Sequence, residues 1–120
     1  MKPIRCEASG EAFTIYQSED GSYCCPVCGA LEFSIPPYDS EGRPSFEMCH
    51  CGFEFGYDDS PLASKDAVVG IQANWSRWRR GWVERAVVSP EAFATLEGQL
   101  KNIRLRLAFD LLVVPEENET

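Results

Sequence analysis

The sequence predicts an α+β fold: a short-stranded β region over residues 1–61, then an antiparallel helical pair over 62–114. Three observations predict it. Short β-rich runs bounded by turn residues occupy the front of the chain. Two stripes of large apolar residues, stepping by three and four, occupy the back. Two tight cysteine pairs lie in the front half and could staple it. Residues 115–120 read as a frayed acidic tail, and 120 residues suit a single domain.

In the front half, Ala12-Phe13-Thr14-Ile15-Tyr16 is a β-rich run, and Glu19-Asp20-Gly21-Ser22 is a turn. Leu31-Glu32-Phe33-Ser34-Ile35 alternates apolar with polar, as a half-buried strand does. The stretch from Pro36 to Pro44 holds three prolines and a glycine and reads as a loop. Phe53-Glu54-Phe55-Gly56-Tyr57 alternates again and stops at Asp58-Asp59-Ser60-Pro61.

In the back half, the first helix is expected to start near Ser64, with Val68, Ile71, Trp75, Trp78 and Trp82 on one stripe. Arg77, Arg79 and Arg80 fall mostly off that stripe. Ser89-Pro90-Glu91 is a helix start: a capping serine, proline at the first helical position and an acid in the first turn. The second stripe is Phe93, Leu96, Leu100, Ile103 and Leu107. Tryptophans at helical spacing are read as core before they are read as a binding surface.

Composition limits the function classes. Hydrophobic and charged contents of 44% and 25% are those of a globular chain. The longest strongly apolar run, Leu111–Val114, is too short to cross a membrane. The N-terminus carries no apolar secretory core, so a reducing cytoplasmic setting is expected. The net charge of −8 is uneven. Residues 1–66 carry four Lys/Arg against twelve Asp/Glu, residues 67–109 carry seven against three, and the end is acidic. This disfavours long-range attraction to nucleic acid and favours a basic protein partner.

The cysteines carry the chemistry. Cys25-Pro26-Val27-Cys28-Gly29 has the form of a zinc knuckle: two thiolates three residues apart can chelate one tetrahedral ion, and the glycine lets backbone N–H groups turn toward the sulfurs. Cys49-His50-Cys51-Gly52 follows after twenty residues, with its pair one residue tighter. Cys25, Cys28, Cys49 and Cys51 thus form one candidate Cys₄ set, a zinc-ribbon or rubredoxin-like arrangement. Such a set is closed and therefore structural. Zinc is expected ahead of iron. A second assignment starts from Cys6-Glu7-Ala8-Ser9-Gly10, which has the shape of a knuckle with serine in place of its second cysteine. There Cys6, Cys25 and Cys28 would meet, with His50 or Cys49 as the fourth ligand. Cys24 reads as a buried bystander. The CxxC spacing also fits a redox dithiol, but those sit at helix starts in βαβ units, and here a strand-like run follows. His50, the single histidine, has no evident partner for nucleophilic catalysis. Asp58 and Asp59 could bind a cation, or simply serve the turn.

The runs Cys25–Gly29, Pro36–Cys49 and Cys51–Asp59 resemble a group of small bacterial cysteine-rich proteins, related in pattern to the CPCC cysteine-rich domains. The resemblance spans about residues 24–103, including the Trp/Arg helix and Gln99-Leu100-Lys101-Asn102-Ile103. Members carry three cysteines around the second knuckle, where this chain has Cys49-His50-Cys51, and residues 1–23 are additional to the pattern. The resemblance implies a zinc-ribbon front and a metal, and no reaction.

The resulting expectation is a non-enzymatic, metal-stabilised protein-binding module. Its charge is like that of inhibitors or immunity proteins that cover basic nuclease surfaces. The alternatives are nucleic-acid binding through Arg77, Trp78, Arg79, Arg80 and Trp82, or a thiol or zinc enzyme.

Overall fold

The computed structural model describes residues 1–8, 10–59, 70–108 and 112–116. Strands β1 (Lys2–Ala8) and β2 (Glu11–Gln17) form an antiparallel hairpin in continuous register from Lys2↔Gln17 to Ala8↔Glu11. The two-residue period places Ile4 and Cys6 opposite Ile15 and Phe13 on one face, where Cys6, Phe13 and Ile15 are buried. Arg5 opposite Thr14 and Pro3 opposite Tyr16 occupy the other face. The sequence from Cys6 to Gly10 is therefore not a knuckle. It is the end of β1 and the hairpin turn, because Cys6 packs across from Phe13; Ser9 lies outside the described residues.

β3 (Tyr23–Cys24) and β4 (Leu31–Phe33) complete an antiparallel sheet of order β1-β2-β3-β4. The expected turn before β3 forms, with the Asp20 carboxylate accepting the Ser22 N–H. β3 pairs with β2 at Gln17↔Tyr23, so among the described residues most of the second edge of β2 has no strand beside it.

The alternating run Phe53–Tyr57 does not become a strand. Among the described residues its one ladder contact is an isolated bridge between Met48 and Glu54. The carboxylates of Asp58 and Asp59 accept the N–H groups of Glu54 and Gly56, at 2.8 and 3.0 Å, and so divert them from a longer ladder. This assigns the acidic pair to the turn. Phe53 and Phe55 still point inward and are fully buried.

Helix α1 runs Ile71–Ala86, not from Ser64. Residues 60–69, including the expected cap Ser64 and the stripe residue Val68, lie outside the described residues. Gly70 is at the N-cap and provides no side-chain acceptor. Glu11 of β2 substitutes: its carboxylate accepts the N–H groups of Ile71 (2.8 Å) and Gln72 (3.0 Å) and the Gln72 side chain (2.9 Å). A carboxylate at this end both satisfies free N–H groups and complements the helix dipole.

Helix α2 (Pro90–Asn102) starts as its sequence announces, with Ser89 Oγ accepting the Ala92 N–H at 3.1 Å. The helical pair does not extend to residue 114. Helix α2 stops at Asn102, Arg104 takes φ 60°, and β5 (Leu105–Leu107) pairs antiparallel with β6 (Val113–Pro115). Leu107 satisfied the helical spacing by coincidence: the alternation Leu105-Arg106-Leu107 also turns it inward. Pro115 belongs to β6 and not to a tail, and the Glu116 N–H closes the hairpin on the Arg104 carbonyl at 2.9 Å.

Two cores result. The first joins the inner face of β1–β2 to Phe33, Tyr38, Phe53, Phe55, Trp75 and four cysteines. The second joins Cys24 and Val83 to Leu96, Leu100, Ile103 and Leu107. Trp82 packs against both. In the first core, Tyr38 stands edge-on to Phe13 at 5.2 Å. Its hydroxyl donates to Asp59 and accepts the Trp75 indole N–H at 3.2 Å. Burial, then the Asp59 carboxylate, pushes the Tyr38 phenol well above its ordinary value.

Candidate metal centre

The first knuckle is built by one backbone turn. The Cys25 N–H donates to the Ala30 carbonyl and the Gly29 N–H to the Cys25 carbonyl, both at 2.8 Å. Gly29 has φ +83°, a conformation that L side chains rarely adopt. It directs the Val27 N–H to Cys25 Sγ and the Ala30 N–H to Cys28 Sγ, each at 3.4 Å. The second knuckle repeats the device with one residue fewer. The Cys49 N–H donates to the Phe53 carbonyl at 3.0 Å, Gly52 has φ +91°, and the Cys51 N–H points to Cys49 Sγ at 3.5 Å. The shorter CxC spacing is absorbed by that tighter turn.

The turns bring the sulfurs of Cys25, Cys28, Cys49 and Cys51 within 4.8 Å of one another, all buried. Cys28 and Cys49 are 3.5 Å apart, and Cys25 and Cys51 are 4.0 Å apart. A tetrahedral ion with sulfur at roughly 2.3 Å sets sulfur–sulfur separations of about 3.8 Å. The four residues could therefore hold a metal ion, and the donor set is that of soft or borderline cations. Protons are divided unequally among the sulfurs. Burial, then contact with the other three thiols, pushes Cys25 well up. Cys28 is pulled down by Cys25 but raised overall by Cys49, Cys51 and burial. Contact with Cys25 and Cys28 pulls Cys49 and Cys51 down. A cation would replace these shared protons and hold all four as thiolates.

The other sequence candidates stand apart. Cys6 directs its thiol to the Tyr38 carbonyl at 3.8 Å, and burial, then Asp39, raises its pKa. His50 turns outward, its side chain 91% exposed, and its Nδ1 pairs with Glu32. The Glu32 carboxylate also accepts the His50 backbone N–H at 3.0 Å, pinning the second knuckle to β4. Cys24 belongs to the second core, where burial raises its thiol to about 11.

The sequence did not reveal the supporting role of three residues. Arg79 is 9% exposed, and its Nε and Nη2 donate to the carbonyls of Val27 and Pro26 at 2.6 and 2.8 Å. It lies four residues after Trp75, which places it on the buried face and not beside Arg77 and Arg80; that spacing was the available signal. Burial lowers its pKa, and the thiolates of Cys25, Cys28 and Cys51 oppose that shift. With an ion bound, the four thiolates would keep excess negative charge, which the guanidinium behind the knuckle would offset. Trp78 donates its indole N–H to the Cys51 carbonyl at 2.9 Å, and Asn102 donates to the Gly29 carbonyl at 3.0 Å. Helix α1 thus buttresses both knuckles and α2 the first, where a Cβ on Gly29 would lie 1.7 Å from the Gln99 carbonyl oxygen.

No protein-family model matches the chain, and no curated protein or solved structure is detectably similar to it. Its class is α+β, with a four-stranded and a two-stranded antiparallel sheet and two helices among the described residues, built around a four-cysteine cluster able to hold a metal ion.

Proposed function

We propose that the protein is a non-enzymatic binding module for a basic protein, with a structural zinc ion in the four-cysteine cluster. One observation carries the reading. Phe46, Met48 and Tyr57 are 68%, 61% and 63% exposed on one ribbon beside the second knuckle. Residues 46–48 and 54–57 lie side by side there through the Met48–Glu54 bridge and the Phe55 N–H on the Glu47 carbonyl. Phe46 holds φ 62°, a strained value for a non-glycine residue, while its ring lies against Gly56. Aromatics and methionine are the side chains that protein interfaces favour, and soluble surfaces seldom group them. Glu47, Glu54 and Asp58 on the same ribbon complement a basic partner.

The closed thiol set supports a structural ion, since a Cys₄ shell leaves no position for substrate. The inward turn of Arg79, Trp75 and Trp78 weighs against a stacking surface for nucleic acid. No helix among the described residues is long and apolar enough to cross a membrane.

The test is capture on the immobilised full chain, beside a Phe46→Ser/Met48→Ser variant of equal metal content. The reading expects a basic protein that is retained by the parent and released by salt, and that the variant fails to hold. Retention indifferent to the variant, or no basic protein retained, overturns it.

A further inference from the structure

A cleft of about 470 Å³ lies between the outer face of β2, helix α1 and β5, away from the exposed ribbon. That volume is in the range of small-molecule sites. Its lining is chemically one-sided. Arg5 and Arg79 contribute two guanidinium groups and Thr14 and Ser76 two hydroxyls, while Tyr16 and an edge of the buried Trp75 add apolar lining. Among the described lining residues none is acidic, in a chain of 19 Asp and Glu. The neighbouring Glu11 carboxylate is engaged in capping α1.

Arg79 is the second, independent pointer. It is more than nine-tenths buried, yet among the described residues no carboxylate lies within ion-pair distance of it. Its Nε and Nη2 donate to knuckle carbonyls, and the guanidinium also lines the cleft. A cleft lined by two guanidinium groups and, among the described residues, by no carboxylate favours an anionic guest. Arg5 is exposed and sits across the ladder from Thr14, so it reaches the same cleft from the rim. Tyr16 is held in place by Arg104, whose guanidinium lies 5.2 Å from the ring centre.

We infer that this cleft is a binding site for a small organic oxyanion, a phosphate monoester or a carboxylate, with Arg79 at its floor, Arg5 at its rim and its apolar part against Tyr16 and Trp75. The guanidinium fork suits both headgroups. The site works against the net negative charge of the chain, so binding there is specific and not a consequence of general attraction.

The experiment is calorimetric titration of the metal-loaded full chain with phenyl phosphate, with benzoate and with inorganic phosphate. Saturable one-to-one binding of phenyl phosphate alone supports a phosphate monoester, and of benzoate alone a carboxylate. Binding of both supports an oxyanion of either kind, and inorganic phosphate binds more weakly than phenyl phosphate if the walls contribute. Arg5→Ala, on an exposed strand position, should weaken binding about tenfold with metal content unchanged. Arg79→Lys keeps the charge, loses the fork and should weaken it further; should that variant fold poorly, the Arg5 result decides. The visible spectrum of the cobalt-substituted protein should not change on saturation, because the anion does not reach the thiolates. Absence of binding by both organic probes, Arg5→Ala binding like the parent, or a shifted cobalt spectrum overturns the assignment.

Discussion

Replacing Gly29 with alanine strikes the point where the first knuckle, helix α2 and the left-handed turn coincide. The backbone holds φ +83°, which costs an L-residue roughly 1 kcal/mol. The new methyl would stand 1.7 Å from the Gln99 carbonyl oxygen and 2.5 Å from its carbon. Both are backbone atoms of a helix and cannot swing aside, so α2 must retreat. Overpacking of this kind costs roughly 2 kcal/mol. The retreat also draws Asn102 away from the Gly29 carbonyl, now 3.0 Å distant, for about 1 kcal/mol more. The sum is about 4 kcal/mol, a large part of the stability of a domain this size. Two glycines calibrate it. Gly52→Ala meets only a Trp78 ring atom at 3.2 Å, so its cost is mainly the turn, about 1–2 kcal/mol. Gly98→Ala, in open space on α2, should stabilise by roughly 0.5–1 kcal/mol. Urea unfolding of the three metal-loaded variants at neutral pH reads the series. A Gly29→Ala protein within about 0.5 kcal/mol of the parent, or a Gly52→Ala protein as damaged as Gly29→Ala, would refute the packing of α2 on the knuckle.

Three further outcomes follow. Stripping the ion with a chelator at pH 7 should abolish the near-ultraviolet circular dichroism of the aromatic core, and zinc should restore it; a signal indifferent to chelation would count against a structural ion. For Glu11, partial burial raises the carboxyl, but the Gln72 side chain and the Gln72 and Ile71 N–H groups outweigh it and hold it below its ordinary value. Its contribution is therefore complete above that value and lost as pH falls through the lower folded value, so unfolding titrations of Glu11→Gln should lack that acid-side decline. Tyr38→Phe leaves the buried Trp75 indole N–H without its acceptor and should cost about 2 kcal/mol in urea with unchanged metal content; a neutral result would show that the bond contributes nothing.

Legibility in the sequence followed the locality of the cause. Ser89-Pro90-Glu91 marks the start of α2 because capping is settled within four residues. The two knuckles were legible for the same reason: each is a short turn with its own glycine. Strand β1 was not, since Pro3, Arg5 and Glu7 alternate outward and leave too few apolar residues for a strand signal. The start of α1 was misplaced because its acceptor, Glu11, lies 60 residues away. Leu107 fell on a helical stripe although the helix had ended, because spacing alone does not distinguish a continued turn from a strand that returns to the same core. The role of Arg79 required knowing which backbone carbonyls face α1, and that is tertiary information.

The reach of Glu11 bears on how the molecule can be divided. The four thiols lie within residues 25–51, so a fragment beginning at Tyr23 would retain every candidate ligand. It would lose the acceptor for the first N–H groups of α1, the Phe13 ring that stands 5.2 Å from Trp75, and one wall of the oxyanion cleft. The candidate ligand set and the folding unit therefore have different boundaries. Grafting or excising the cysteine motif without its N-terminal hairpin transfers a chelator and leaves the architecture behind.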